Sequence, residues 1–268
     1  MRWSKTRAFG QHYLADKRVL REIIESSQIS REEVVCEVGT GGGILTQELC
    51  KHAKRVISFE TDRALYLRAS NYLSGFSNLL LMHSDIFKSS GFEFDVFVSN
   101  LPYSRSKDAI EWLALRKFNR AIIMLQREFV DKLQTRAGEA NYRSISVIGQ
   151  YCFRIENLFE VNRTSFTPQP RVNSQVVRLT PKGENHLIMQ TLNNINYIFS
   201  RRNKKAASVL KALGRKEFSY RNWNDKRIDQ LAPEELVVLA QSIPKNDKVS
   251  EKVSIYKKKR KKAGYIVR

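Results

Sequence analysis

Glycines and acidic residues stand where predicted strands end, in an arrangement that suits an adenosine-containing cofactor. Gly39 and Gly41 belong to a GxGxG turn that follows Glu37. Glycine at such a turn lets the backbone bend tightly and approach a ligand closely. Glu60 ends the next apolar run, where a carboxylate can accept ribose hydroxyls, and Asp85 follows the third run, where it can read the amino edge of adenine. NAD and S-adenosylmethionine fit equally well, and each residue alone also fits an ordinary turn or a solvated strand end.

The tetrapeptide NLPY, residues 100–103, closes a fourth apolar run and distinguishes between these cofactors. The exocyclic amine of a base is a poor nucleophile because its lone pair is delocalised into the ring. Two hydrogen-bond acceptors on its N–H groups free that lone pair. The side-chain oxygen of Asn100 and a backbone carbonyl can serve as acceptors, Pro102 stiffens their loop, and Tyr103 can stack on the base. This set suits methyl transfer to a base amine and does not suit hydride transfer to nicotinamide.

Phe166 precedes a Pro-x-Pro loop, so its ring is carried on a stiff connection. Stacking of a base on an aromatic side chain contributes about 1–3 kcal/mol. A base that enters such a site must leave its own stack, which favours loops or single strands as substrates. The alternative is a core aromatic beneath a loop, and the residue types leave both interpretations open.

The elements that must position these residues alternate between strand and helix. Five apolar runs predict strands within residues 32–39, 54–60, 78–85, 93–100 and 120–126. Helical patterns precede, separate or follow them at 16–28, 44–53, 61–73, 106–118 and 127–136. This alternation indicates βαβ units and a parallel sheet, and strands that are apolar throughout indicate a sheet covered on both faces. Two further strand-like runs around the proline-rich loop predict antiparallel strands that close one edge.

The pattern becomes helical after Gly183, which predicts a second, smaller domain. We therefore expect an α/β Rossmann-like domain over residues 1–182, a small helical domain over 183–244 and a basic tail over 245–268. The tail has ten Lys or Arg residues against two acids, and it carries +8 of the net charge of +20. Such a segment is expected to be disordered by itself.

The net charge favours a polyanionic partner, either nucleic acid or an acidic membrane surface. Because the charge is clustered, nucleic acid is the preferred interpretation over a merely basic soluble protein. The basic clusters are Arg2, Lys5 and Arg7, then Arg201, Arg202, Lys204 and Lys205, and then a tail cluster that includes Lys257, Lys258, Lys259 and Arg260.

Cysteine and histidine usage indicates a reduced, metal-free protein. Cys36, Cys50 and Cys152 are widely spaced and form no CxxC pair, and the four histidines are scattered. No apolar stretch approaches the roughly 18 residues of a membrane helix, and the N-terminus has no signal-peptide core. We therefore expect a cytoplasmic protein with no metal and no membrane contact, and we expect a monomer.

Six ordered sequence elements resemble those of the ribosomal RNA adenine N6,N6-dimethyltransferases of the KsgA and dimethyladenosine transferase type. They are FGQHYL, EVGTGGGILT, FETD, SDIF, NLPY and FTPQPRVNSQVV, and the basic segment FSRRNKK is similar as well. The resemblance spans residues 8 to about 240. It implies a SAM-dependent methyltransferase domain with an antiparallel last strand and a small helical domain. It also implies, as substrate, adjacent adenosines in a loop near the 3′ end of small-subunit rRNA, either free or in a pre-ribosomal particle.

The resemblance also implies roles for the residues of the cofactor site. His12 and Leu14 would line the pocket, and Gly39 would lie at the methionine end. Glu60 would hold the ribose and Asp85 the adenine.

On the target side, the resemblance implies that Asn100 accepts from the N6 amine and also lies near the cofactor. Leu101 would offer its backbone carbonyl, and Tyr103 and Phe166 would sandwich the flipped adenine.

The sequence departs from the family pattern after NLPY, where an Ile-Ser pair is usual and this chain has SRS. Arg105 could contact an RNA phosphate or point to solvent. His12 replaces a common Asn. Two alternatives stay open: methylation of large-subunit adenosines, as in related resistance methylases, and a binding role as a ribosome-assembly or transcription factor without catalysis.

Overall fold

The computed structural model describes most of the 268-residue chain. The described residues are 12–88, 91–183, 186–213, 223 and 225–243. The predicted basic residues 2, 5 and 7 and the whole tail, with its cluster at 257–260, lie outside these ranges.

The described residues divide into two compact units. Residues 12–131 and 153–186 contribute to the first, and residues 132–152 and 187–243 contribute to the second. The boundary predicted near residue 182 stays a prediction. Residues 132–152 also belong to the second unit, which the sequence pattern did not suggest.

A seven-stranded mixed sheet forms the centre of the first unit. The seven strands of this sheet are β2 (Val34–Val38), β3 (Arg55–Glu60), β4 (Leu79–His83), β5 (Val96–Asn100), β6 (Arg120–Gln126), β7 (Phe153–Val161) and β9 (Ser174–Pro181). The two short strands β1 (Tyr13–Leu14) and β8 (Phe166–Thr167) pair separately. The order in the large sheet is β4-β3-β2-β5-β6-β9-β7. The first five of these strands run parallel, whereas β9 is antiparallel to β6 and β7 is antiparallel to β9. The predicted parallel sheet with antiparallel strands at one edge is thus confirmed.

The helices predicted from the sequence are present in the expected order, together with a helix at Ser144–Cys152 that was not predicted. The α-helices are α1 (Lys17–Ser27), α2 (Ile44–His52), α3 (Arg63–Tyr72), α4 (Ser106–Leu113), α5 (Arg127–Gln134), α6 (Ser144–Cys152), α7 (Met189–Phe199), α8 (Ala206–Ala212) and α9 (Pro233–Gln241). Short 3-10 turns lie at Ile86–Lys88, Tyr103–Arg105, Arg163–Ser165 and Ile228–Gln230.

Acidic caps fix where α1 and α3 begin. The side chain of Asp16 accepts from the backbone N–H of Arg18, and that of Asp62 accepts from those of Ala64 and Leu65. These bonds satisfy donors that have no partner within the helix. The loop from β3 to α3 is therefore short, and it keeps the end of β3 in a fixed position.

The middle strands of the sheet are buried on both faces. Val35, Cys36, Val96, Phe97 and Val98 are 0% exposed. Because successive residues of a strand point to opposite faces, this burial requires helices on both sides of the sheet. The continuous apolar runs in the sequence follow from this arrangement.

A small antiparallel ribbon joins the first described residues to the proline-rich loop. Tyr13 pairs with Thr167, and Leu14 pairs with Phe166. The N–H of Ala15 also donates to the carbonyl of Ser165 at 2.8 Å. The sequence analysis did not predict this pairing, which brings two distant motifs together.

The second unit is helical and has a polar network in its core. The hydroxyl of Ser144 donates to the side-chain oxygen of Asn196 at 2.8 Å, and the amide of Asn194 donates to the carbonyl of Ala240 at 2.9 Å. Helix α6, which contributes Ser144, was not predicted.

Arg120, at the start of β6, binds both the end of α1 and the residue that precedes β2. The guanidinium of Arg120 donates to both carboxylate oxygens of Glu33 at 2.8 Å and to the carbonyl of Ser27 at 2.7 Å. The two side chains are only 17% and 15% exposed. Hydrogen bonding to Arg120 holds the pKa of Glu33 at about 2.

We predict that Arg120→Met lowers the free energy of unfolding by about 2–4 kcal/mol, because it leaves the Glu33 carboxylate nearly buried without its partner. Urea denaturation measures the change. Arg127→Met is the matched control, since the Arg127–Glu160 pair is 58% and 42% exposed, and it should cost less than about 1 kcal/mol. Equal losses in the two variants would contradict the prediction.

Candidate active site

A cavity of about 890 Å³ lies in the first unit at the carboxyl ends of β2 to β5. Parallel sheets of this kind bind ligands at that edge, and the volume suits a ligand the size of a nucleoside-containing cofactor. Its lining includes residues 12–17, 38–42, 59–62, 83–88, 100–102, 104, 105 and 167. The predicted cofactor residues His12, Leu14, Gly39, Gly41, Glu60, Asp85 and Asn100 are all among them.

The turn after β2 lies directly against the NLPY segment. Gly39 has a φ of 87°, a conformation that side chains disfavour, and its N–H donates to the carbonyl of Phe59 at 2.8 Å. A Cβ placed on Gly39 would lie 3.6 Å from the carbonyl oxygen of Asn100 and 3.9 Å from Cδ of Pro102. A Cβ would fit at these distances, so the backbone conformation at Gly39, and not a lack of space beside the NLPY loop, is what calls for glycine.

Glu60 joins two of the loops that form the cavity. Its Oε2 accepts the N–H of Gly41 at 2.8 Å, and its Oε1 accepts those of Thr61 and Asp62 at 2.8 and 2.9 Å. The residue is only 4% exposed. A carboxylate oxygen can accept two hydrogen bonds, so Oε2 can also accept a hydroxyl of a ligand in the cavity.

Glu37 is buried beneath the turn and is not part of the cavity lining. Its Oε2 accepts the hydroxyls of Thr46 and Ser58 at 2.6 Å each, and Ser58 is hydrogen-bonded in turn to Thr40 at 2.6 Å. Within the described parts of the chain, Oε1 has no hydrogen-bond partner. Burial raises the pKa of Glu37 from an ordinary 4.5 to about 7, although the two hydroxyls oppose the shift. Glu37 thus supports the turn and does not face a ligand.

Asp85 and Arg105 form an ion pair on the cavity wall. Nη2 of Arg105 lies 3.0 Å from each carboxylate oxygen of Asp85. The guanidinium also lies over the ring of Phe87, at 4.9 Å from its centroid, and its Nε is 3.1 Å from Asp108. The sequence alternatives for Arg105 were an RNA phosphate or solvent, and neither anticipated this carboxylate contact.

The candidate target-side residues follow β5. Asn100 and Pro102 line the cavity, and Leu101 does so with only 3% of its surface exposed. The carbonyl of Pro102 accepts the N–H of Arg105 at 2.8 Å, which closes the 3-10 turn. The NLPY loop is therefore held by a local hydrogen bond in addition to its proline.

The two predicted stacking residues, Tyr103 and Phe166, do not line the cavity. The Tyr103 hydroxyl is hydrogen-bonded to Ser174 at 2.6 Å, and its ring lies 5.8 Å from that of His12. Burial raises the pKa of Tyr103. Phe166 is 2% exposed and packs in the hydrophobic core, with Val98 and other strand residues. Neither ring is part of the cavity lining, so the predicted sandwich stays a prediction.

Two residue sets in this region were missed from the sequence. The first is the hydroxyl network of Thr40, Thr46 and Ser58. Thr40 and Thr46 belong to the EVGTGGGILT element, which was the available signal, whereas Ser58 is an ordinary strand residue in the sequence. The second is Ser174, the partner of Tyr103. Ser174 belongs to the FTPQPRVNSQVV element, so its place in that motif was the available signal.

The predicted basic residues of the second unit lie between α7 and α8. Arg201 stacks on Tyr197 at 4.1 Å, and Arg202 donates to backbone carbonyls of residues 140 and 142. Lys204 is exposed, and Lys205 is paired with Asp225 at 2.8 Å. Their contact with RNA stays a prediction.

The described residues show neither a metal-binding cluster nor a membrane-spanning helix. No group of three or more His, Cys, Asp or Glu residues there is arranged to hold a metal ion. No helix in those ranges has the length and apolar character that a membrane span requires.

Comparison with known proteins gives consistent matches over most of the chain. The family model described as ribosomal RNA adenine dimethylase matches residues 3–245. Ribosomal RNA small subunit methyltransferase A of Thermotoga maritima is 34% identical over 86% of this chain and 82% of its own length. The probable ribosomal RNA small subunit methyltransferase A of Thermococcus gammatolerans is 31% identical over 92% of each chain.

A crystal structure shares the fold. The dimethyladenosine transferase from Plasmodium falciparum has a TM-score of 0.69 at 24% identity, with 85% of this chain and 96% of that chain covered. This likeness extends the fold assignment to an experimental structure.

We predict that Glu37 makes the protein less stable as the pH rises from about 4.5 to about 7, because the unfolded chain loses the Glu37 proton in this range while the folded chain keeps it. Because each unit of pKa difference corresponds to about 1.4 kcal/mol, the loss in the free energy of unfolding levels off at roughly 3 kcal/mol above pH 7. Glu37→Gln should remove this part of the pH dependence, measured as the free energy of unfolding at pH 5 and pH 8.

Glu48→Gln serves as the control, since Glu48 is a surface partner of Lys51 and is 30% exposed. Its pH dependence should match that of the wild type. If Glu37→Gln also matched the wild type, the buried proton would be ruled out.

Proposed function

The chain belongs to the ribosomal RNA adenine dimethylase family, and from this premise we propose that it transfers methyl groups from SAM to N6 amines of adjacent adenosines. The proposed substrate is a loop near the 3′ end of small-subunit rRNA, and a role in small-subunit biogenesis follows from it. The observation that carries the proposal is the meeting of the glycine turn, Glu60 and the NLPY loop at one cavity. The names of the relatives support the small subunit as the substrate.

The residues at the cavity fit SAM. Gly39 and Gly41 provide close backbone approach, Oε2 of Glu60 can accept a ribose hydroxyl, and Asp85 offers a carboxylate to the adenine amino group. His12 and Leu14 would close the pocket from the ribbon. When bound, the cofactor supplies a methyl group that its sulfonium already makes electrophilic.

The chain's own contribution is to orient the target amine. Asn100 and the carbonyl of Leu101 would accept its two N–H groups and free the nitrogen lone pair. Gly39 and Asn100 line the same cavity, which supports a short distance between the acceptors and the cofactor side. Orientation of this kind can contribute about 7–11 kcal/mol to lowering the barrier.

Tyr103 and Phe166 have unequal parts in the proposal. Tyr103 is only half-buried, and its ring lies 5.8 Å from that of His12, a residue of the cavity lining, so it is the more accessible of the two rings. Phe166 is 2% exposed, and a base can stack on it only if the β8 segment moves away from the core. We therefore propose Tyr103 as the main platform and Phe166 as the second face after such a movement.

RNA binding beyond the site is assigned to basic residues. Arg201, Arg202, Lys204 and Lys205 of the second unit and the tail at 257–260 would contact phosphates, as would be expected for a net charge of +20. A monomer that acts in the cytoplasm on free rRNA or on a pre-ribosomal small subunit is part of the same proposal.

Incubation with methyl-labelled SAM tests the proposed function. Isolated small subunits and large-subunit rRNA are offered separately, and the RNA is digested to nucleosides. Label in N6,N6-dimethyladenosine from the small subunit alone is the expected result. Label from large-subunit RNA alone would support the other substrate, and RNA binding without label would support a non-catalytic factor.

We predict that Asn100→Ala keeps SAM binding within a few-fold and lowers kcat by about 10²–10³-fold, because one acceptor for the target amine is lost. Calorimetry measures binding, and label transfer measures turnover. Asn71→Ala, at an exposed position of α3, is the control and should change neither quantity. Full turnover in Asn100→Ala would refute the acceptor role.

A further inference from the structure

We propose that Arg105 is a positioning residue of the cofactor site, which holds the Asp85 carboxylate in the orientation that accepts the adenine amino group. The inference rests on the proposed function and deepens it. Arg105 also lies in the segment after NLPY, where the sequence departs from the family pattern that it otherwise resembles.

The contacts of Arg105 constrain Asp85 strongly. Nη2 bridges both carboxylate oxygens at 3.0 Å, and the N–H of Phe87 donates to Oδ1 of the same carboxylate at 3.1 Å. Charge-assisted hydrogen bonds of this kind are among the stronger ones in proteins. Asp85 is only 14% exposed, so solvent screens the pair less than it would on the surface.

Arg105 is itself held from two other sides. Asp108 lies 3.1 Å from its Nε, and the ring of Phe87 lies beneath the guanidinium. The planar guanidinium can make such contacts together, whereas an ammonium group cannot reproduce them. Arg105 therefore acts as a fixed part of the cavity wall.

The acidic residues around Arg105 favour a role in the cofactor site over a contact with an RNA phosphate. Its positive charge lies between two carboxylates, Asp85 and Asp108, which would repel an RNA phosphate that approached the same guanidinium. An RNA phosphate contact would thus have to compete with two existing anionic partners. A neutral donor such as the adenine amino group meets no such repulsion at Asp85.

Affinity for two ligands tests the inference without turnover. S-adenosylhomocysteine carries the 6-amino group, and its 6-deamino analogue has hydrogen in that position. For Arg105→Met we expect the Kd of S-adenosylhomocysteine to rise about tenfold, which is about 1.4 kcal/mol, and the Kd of the analogue to stay unchanged. Arg105→Lys should show a smaller rise, because it keeps the charge without the planar contacts.

Arg116→Met is the matched control. Arg116 also lies over an aromatic ring, at 4.8 Å from the centroid of Trp112, but it is not part of the cavity lining. It should leave both Kd values unchanged, and thermal unfolding of each ligand-free variant checks that the fold is retained.

Three results would overturn the inference. An unchanged or lower Kd of S-adenosylhomocysteine in Arg105→Met would show that Arg105 does not assist Asp85. An equal rise for both ligands would show a general effect on the cavity. A wild-type protein that binds neither ligand would overturn the proposed function itself, and the inference with it.

Discussion

The buried carboxylate of Glu60 is the contact on which the geometry of the site depends. It accepts backbone N–H groups from Gly41 on one side and from Thr61 and Asp62 on the other. A buried charge is costly unless it is hydrogen-bonded, so the two loops can separate only by exposing or stranding that charge. The glycine turn and the start of α3 are therefore fixed with respect to each other. The Glu60 carboxylate is thus both the candidate ribose acceptor and the group that links the two loops of the cavity.

Much of the first unit could be predicted because its strands and helix caps depend on short stretches of the sequence. A strand covered on both faces must be largely apolar, as β5 (Val96–Asn100) is. A helix that follows a strand needs a capping side chain, which Asp62 provides for α3 after β3. Parallel strands also bring their carboxyl ends to one edge. Residues at successive strand ends, such as Glu60, Asp85 and Asn100, could thus be assigned to one edge of the sheet from the sequence.

The remaining features depend on contacts that local patterns do not record. Helix α6 is buried almost all round, and its sequence SISVIGQYC has no polar face and therefore no helical period. The bond from Arg105 to Asp85 joins two loops that are 20 residues apart. The burial of Phe166 depends on the partners of β8 and the core beneath it, so the residue type alone could not separate a base platform from a core aromatic.

Helix α6 also bears on how this architecture can change in evolution. Residues 132–152 are flanked on both sides by segments of the first unit, yet they pack with the second, where α6 contacts α7 and α9. The helical unit is thus assembled from two separate pieces of chain. A gene fusion or deletion that cuts after residue 182 would leave α6 behind without its partners, with an apolar surface exposed to water. The helical unit is consequently not a module that recombination can add or remove as one continuous block.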